Sequence, residues 1–247
     1  MTTTIKNAIC LITLHPDKKE TYLKFLSTFQ TYDIYVVIDD NTNSYDYLQK
    51  MYPSIRFVQF RNDLCENAGY KNLSYVTLKK TVTGWDKAIY LFTLLGSTYR
   101  DVWFLEDDVY FHSENTLKSI DAKYLTEDIL CNSNYEPAKL NEWLWNRIDI
   151  PYKGEYCCGM ICALRLSSKY LEGIRDYVAE YGTLFFLEAF FPCFAKKLAG
   201  CKTVVNPPEF LTITYNRCFQ KEEMNTEGLF HPMKNLDDHV LYRNVGK

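Results

Sequence analysis

Apolar positions along the chain fall in short blocks whose period switches between that of a strand and that of a helix. Ala8-Ile9-Cys10-Leu11-Ile12-Thr13-Leu14 is nearly unbroken, as a strand buried on both faces requires. Residues 17–29 place Tyr22, Leu23, Phe25, Leu26 and Phe29 at helical spacing, with Asp17 near the predicted start. Ile34-Tyr35-Val36-Val37-Ile38 is a β-branched run that ends in Asp39-Asp40, and Ile55, Phe57, Val58 and Phe60 mark a third strand before Arg61. Gly84-Trp85-Asp86 opens a predicted helix through Leu95, followed by the strand Val102-Trp103-Phe104-Leu105. Strands alternating with helices predict βαβ units and a mostly parallel sheet. The second half is less regular. A strand is expected over 156–164, a helix over 167–177 and another over 185–198, broken or delayed at Pro192. Pro207-Pro208 marks a loop, and the polar residues 218–247 are expected to wrap the surface. No repeat or linker separates the halves, so residues 1–247 read as one α/β domain dividing near residue 111.

Composition narrows the function classes. Hydrophobic residues make up 47% of the 247 and charged residues 24%, the proportions of a folded globular chain. With 28 basic and 31 acidic residues the net charge is −3, which speaks against nucleic acid as a partner. The nine cysteines form no CxxC pair. Neither a zinc ribbon nor a redox motif is supported, and reduced thiols in a cytosol-like compartment, of a cell or of a viral factory, are expected. No run of about 18 apolar residues exists, so no transmembrane segment is expected. The first apolar block lacks a small-residue cleavage site and reads as a strand rather than a signal peptide.

The chemistry is concentrated where strands end in acids. Glu106-Asp107-Asp108 interrupts an apolar run, and burying three unpaired carboxylates would cost several kcal/mol each. They belong at the strand's C-terminal end, where open α/β sheets bind ligands. Alternation puts Glu106 and Asp108 on one face and Asp107 on the other. Two carboxylates on one face suit a hard divalent cation such as Mg²⁺ or Mn²⁺; a solvated acidic turn is the competing reading. Asp39-Asp40 ends a second strand, where an acid can accept hydrogen bonds from a ribose or a base, or form an Asx turn.

This order of elements resembles the nucleotide-sugar-dependent glycosyltransferases of the GT-A fold, whose DXD-like motif follows an apolar strand. The resemblance covers residues 8–111 well and the rest more loosely. Glu106 replaces the usual first Asp. The resemblance implies a Rossmann-like, mostly parallel sheet flanked by helices. Its first half, to about residue 111, would bind the nucleotide sugar, and the elaborated half from about 112 would bind the acceptor and hold the catalytic base. It implies a metal on Glu106 and Asp108, completed by His231 with Lys234 on the diphosphate. Donor contacts would come from Thr13, His15, Asp39, Asp40, Arg61, Lys87 and Asp107. Arg61 and Lys87 read equally well as solvated surface charges.

Glu188, set among Phe185, Phe186, Phe190 and Phe191, matches the general base of inverting members; desolvation would raise its pKa. Trp143, Trp145, Tyr152 and Tyr156 form a candidate acceptor platform. His239 is a weaker rival to His231, and His112 is not clearly aimed at the site. The partners implied are a nucleoside-diphosphate sugar and a glycan or glycoprotein acceptor. Two other readings stay open, a sugar-nucleotide nucleotidyltransferase and a non-catalytic nucleotide-sugar or carbohydrate-binding module. The first is weakened because Leu14-His15-Pro16-Asp17 is not a Gly-rich phosphate loop.

Overall fold

The computed structural model describes residues 6–74, 77–134, 147–148, 150–151, 157–198, 200–215 and 217–244. The proposed platform residues Trp143, Trp145, Tyr152 and Tyr156 lie outside them.

Among the described residues a seven-stranded sheet forms the centre. It contains β1 (Asn7–Thr13), β2 (Tyr32–Ile38), β3 (Ile55–Val58), β6 (Asp101–Glu106), β8 (Ile129–Asn134), β9 (Cys158–Ser167) and β10 (Thr203–Val205), in the spatial order β10-β8-β9-β6-β1-β2-β3. β9 runs antiparallel to β6 and β8, while the other neighbouring strands pair in parallel. Two short ribbons accompany it, β4 (Asn72–Leu73) with β5 (Lys80–Thr81) and β7 (Tyr110–Phe111) with β11 (Leu229–Phe230). The expected α/β class, a mostly parallel sheet flanked by helices, is the one adopted.

The unbroken apolar run of β1 is explained by cover on both faces. Ala8, Cys10 and Ile12 join one core with residues of α3 (Asn62–Asn67), α4 (Gly84–Leu95), α6 (Ser168–Tyr181) and α7 (Leu187–Lys197). Ile9 and Leu11 join the other with α1 (Glu20–Leu26), α2 (Asp46–Met51) and α5 (Glu114–Lys123). The side-chain period of two assigns β6 the same way, with Val102 and Phe104 to the first core and Trp103 and Leu105 to the second. One buried polar hub ties the layers together. Arg165, fully buried, places Nη1 2.9 Å from Asp121 Oδ1, and Asp121 also accepts from Asn7, Tyr32 and Trp103.

Three expectations are corrected. The helix over 185–198 is neither broken nor delayed beyond Leu187: it runs through Pro192, whose ring sits inside α7. β8 and β10 were not foreseen. Residues 218–247 do not merely wrap the surface, because Leu229 and Phe230 are fully buried and β11 pairs with β7. Beyond it α8 (Leu236–Arg243) closes on α1, with the Arg243 guanidinium 3.5 Å from the centroid of Phe25.

Candidate active site

The C-terminal end of β6 carries Glu106, Asp107 and Asp108 to the edge of the sheet. Glu106 is the last strand residue; Asp107 and Asp108 occupy the turn into β7, closed by Val109 N donating to Glu106 O at 3.1 Å. The C-terminal segment returns to this turn, where Met233 N donates to Asp108 O at 2.7 Å. That contact, with the β11–β7 ribbon, brings His231 beside the acids.

The three acids separate by face. Glu106 points toward α4, where its Oε1 accepts from Trp85 Nε1 at 2.8 Å. Asp107 points the other way, accepting from the Thr13 hydroxyl and lying 2.9 Å from Lys19 Nζ. Asp108 Oδ1 lies 3.2 Å from His231 Nε2, and Glu106 Oε2 lies 3.7 Å from the same nitrogen. His231 Nδ1 donates to Thr214 O at 2.9 Å, which fixes the ring and turns Nε2 toward the two carboxylates. His231 is only 7% exposed.

Electrostatics follow from this crowding. Burial pushes the Glu106 carboxyl above its ordinary value, against the opposing Trp85 hydrogen bond. Burial also pushes on Asp108, yet the His231 ring and the charges of Lys19 and Lys234 hold it below the usual range. His231 is raised: burial opposes its charge, but Asp108 and Glu106 outweigh that. The site therefore favours a positive charge between the carboxylates. The residues fit a divalent cation, since a backbone-oriented imidazole nitrogen lies 3.2 Å from an oxygen of Asp108 and 3.7 Å from one of Glu106.

Glu188 lies in the first turn of α7 on the same side of the sheet as Glu106, and the Glu106 charge acts on it. Its carboxyl accepts from the Tyr215 hydroxyl. Burial is the main cause of its raised pKa; the Tyr215 hydrogen bond opposes the rise and the Glu106 charge adds to it. Tyr215 had no sequence signal, because its contact depends on the course of a loop distant in the chain. Cys162 was also missed. It precedes Ala163, which pairs with Leu105 on β6, so the register sets its thiol beside Glu106. One atom each from Glu106, Cys162 and His231 lie within 4.8 Å of one another. Nine scattered thiols gave no reason to single it out.

The second acidic strand end is assembled differently from expectation. Lys87 is not a surface charge: it is fully buried, with Nζ 2.7 Å from Asp39 Oδ1. Its helix approaches closely because Gly84 has no Cβ; one added there would sit 2.7 Å from Ile12 Cγ2 and 3.2 Å from Asp39 Cβ. Thr83 and Asp86 form the capping box that starts α4. Asp86, fully buried, is pushed up to about 7 by burial against hydrogen bonds from Thr83 and Asn72. Asp40 is engaged by its own loop, accepting from Thr42 N, Thr42 Oγ1, Asn43 Nδ2 and Tyr45 OH at 2.6–2.9 Å. This is the Asx-turn reading. Arg61 is exposed and paired with Asp63 at 2.7 Å.

The remaining histidines and Lys234 are placed as follows. His15 is half-buried at the end of β1, next to the turn Pro16–Lys19. His239 is no rival to His231; it is fully buried against Tyr22 and Tyr110 and donates through Nε2 to Met233 O at 2.8 Å. His112 Nδ1 lies 3.5 Å from Tyr110 OH. Lys234 is exposed and, with Arg217, Phe219, Met233 and Tyr242, lines a cavity of about 460 Å³.

No family model matches the chain, and no curated protein sequence matches it. Among solved structures it is similar to the 4-diphosphocytidyl-2C-methyl-D-erythritol synthase of Anaerococcus prevotii, at 13% identity and a TM-score of 0.46, covering 97% of this chain and 95% of that one. A glycosyltransferase involved in glycosylating the major capsid protein of PBCV-1 shows 13% identity and a TM-score of 0.46 over 96% of this chain and 99% of that one. Mouse xyloside xylosyltransferase 1 shows 9% identity and a TM-score of 0.42 over 81% and 84%. Among the described residues no helix is long and apolar enough to cross a membrane.

Proposed function

We propose that the chain is a metal-assisted glycosyltransferase that moves a sugar from a nucleoside-diphosphate sugar to a hydroxyl acceptor on a glycan or glycoprotein. The observation that carries this reading is the convergence of Glu106, Asp108 and His231 at the C-terminal end of a parallel strand, with Glu188 on the same side. A divalent cation such as Mn²⁺ or Mg²⁺ on Asp108, Glu106 and His231 would neutralise charge on the leaving diphosphate.

The chain's own residues supply the rest. Lys234, exposed beside Asp108, is placed to meet a phosphate oxygen. Asp39, held by Lys87 at the end of β2, offers its remaining oxygen to a ribose or base donor. Thr13 and Lys19 restrain Asp107, so Asp107 orients the turn. His15, just past the end of β1, would meet the nucleotide base. Glu188 takes the acceptor hydroxyl proton, its raised pKa bringing it closer to the operating range of a general base, and attack opposite the leaving group inverts the anomeric carbon. Hexosyl or pentosyl transfer is equally compatible with these groups.

The test is a thermal-shift screen of UDP-, GDP- and dTDP-sugars with and without Mn²⁺. One nucleotide series raising Tm only with metal, and losing that rise in Asp108→Ala, supports the reading. Stabilisation by a nucleoside triphosphate and a sugar phosphate, but by no sugar nucleotide, would redirect it to a nucleotidyltransferase.

A further inference from the structure

The trio of atoms within 4.8 Å is not made of carboxylates and imidazole alone: its third member is the Cys162 thiol. We propose that Cys162 is a metal ligand, and that Glu106, Cys162 and His231 form a mixed oxygen, sulfur and nitrogen site that takes Zn²⁺ or Co²⁺ in strong preference to Mg²⁺. The inference shares its metal site with the proposed transferase, but it needs none of the donor chemistry.

Three observations carry it. First, each residue turns one donor atom toward the others. His231 spends Nδ1 on Thr214 O and Glu106 spends Oε1 on Trp85, which leaves Nε2 and Oε2 for an ion. Second, the thiol is 8% exposed and set by the β6–β9 register, so its position is fixed by the sheet rather than by a loop. Third, the donor set is chemically selective. Thiolate and imidazole suit borderline ions, whereas Mg²⁺ demands six hard oxygens in an octahedron. Zn²⁺ needs ligands at about 2.0–2.3 Å, so tetrahedral donor atoms stand about 3.5 Å apart, inside the 4.8 Å within which these three atoms lie. Asp108, in contact with His231, is placed to serve as a fourth ligand or to hold the imidazole.

The binding step is balanced. The neutral thiol loses its proton to solvent as the metal–sulfur bond forms, and no electron is transferred.

The experiment is titration of the EDTA-treated full chain with Co²⁺, without nucleotide or sugar. The wild type is expected to develop a near-ultraviolet thiolate-to-cobalt charge-transfer band together with visible bands of four-coordinate Co²⁺. Cys162→Ser loses the charge-transfer band and at least about 100-fold in Zn²⁺ affinity, more than loss of an outer-shell partner causes. Its Mg²⁺ affinity stays within about twofold, on the ligand preferences above. Cys218→Ser, an exposed thiol, keeps the band. X-ray absorption of the Zn²⁺-loaded wild type needs no variant and is expected to show one sulfur at about 2.3 Å. A Zn²⁺ shell of nitrogen and oxygen only, or an unchanged cobalt band in Cys162→Ser, overturns the proposal. Because no sugar nucleotide is present, a chain that binds zinc through sulfur but fails the donor screen refutes the transferase reading alone.

Discussion

His231 Nε2 lies 3.2 Å from Asp108 Oδ1, although 123 residues separate the two in sequence (231 − 108). The contact exists because the C-terminal segment pairs β11 with β7 and then pins Met233 N to the Asp108 carbonyl. Truncating this contact tests whether the segment belongs to the site. His231→Ala is expected to weaken divalent-cation binding by about 10- to 100-fold or more, the scale at which even outer-shell partners act. Isothermal titration with Mn²⁺ reads it. Unchanged affinity would remove His231 from the metal shell.

His231 also predicts a pH dependence. Its folded pKa is raised, so the stability its protonated ring contributes to the metal-free fold is fully present below the ordinary value of about 6.5 and is lost as pH rises through the folded value. Metal binding needs the neutral ring and should strengthen over the same interval. His239 has the opposite sign. Burial lowers it to about 4, so the unfolded chain takes up a proton first as pH falls below about 6.5. Acidification from about 6.5 to about 4 should cost up to about 3 kcal/mol at this one residue. Urea denaturation across that range, with His239→Phe as the comparison, would show a shallower acid slope in the variant.

Lys87 and Asp39 predict a stability effect rather than a kinetic one. Lys87→Met leaves a half-buried carboxylate unpaired and should cost about 3 kcal/mol. Adding Asp39→Asn should restore part of the loss, a coupling that a double-mutant cycle measures. Additive losses would mean that the pair does not act as a unit.

Glu188 and Tyr215 predict a shift in a pH profile. The tyrosine hydroxyl favours the ionised carboxylate, so Tyr215→Phe should raise the Glu188 pKa and move the acid limb of the transfer profile to higher pH. Glu188→Gln should abolish transfer while donor binding is retained. Wild-type turnover in that variant would exclude Glu188 as the base.

How much of this the sequence disclosed follows from where each signal resides. Local period was legible: β1, β2 and β6 appear as apolar runs, the last two ended by acids, and the helix expected from Gly84 to Leu95 has those bounds. The facing of Glu106 away from Asp107 followed from strand alternation alone. What depended on long-range pairing was not legible. Cys162 reaches Glu106 only through the β6–β9 register, and Tyr215 reaches Glu188 only through a loop. The burial of Lys87 was not legible because it requires Asp39 from another strand as partner and Gly84 to let the helix approach. Asp40 and Asp39 are adjacent and chemically identical, yet one closes its own loop and the other pairs with a lysine. Leu229 and Phe230 sit in a polar stretch whose average hid two buried positions.

The central claim is that the acids at the end of β6 support transfer from a sugar nucleotide. Its most direct test is chromatography of UDP-, GDP- and dTDP-sugars incubated with the purified chain and a divalent metal. The account predicts slow release of one nucleoside diphosphate, abolished by EDTA and by Asp108→Ala. Binding of a sugar nucleotide with no diphosphate released, in any metal and with any glycan acceptor supplied, would contradict it and leave a binding module instead.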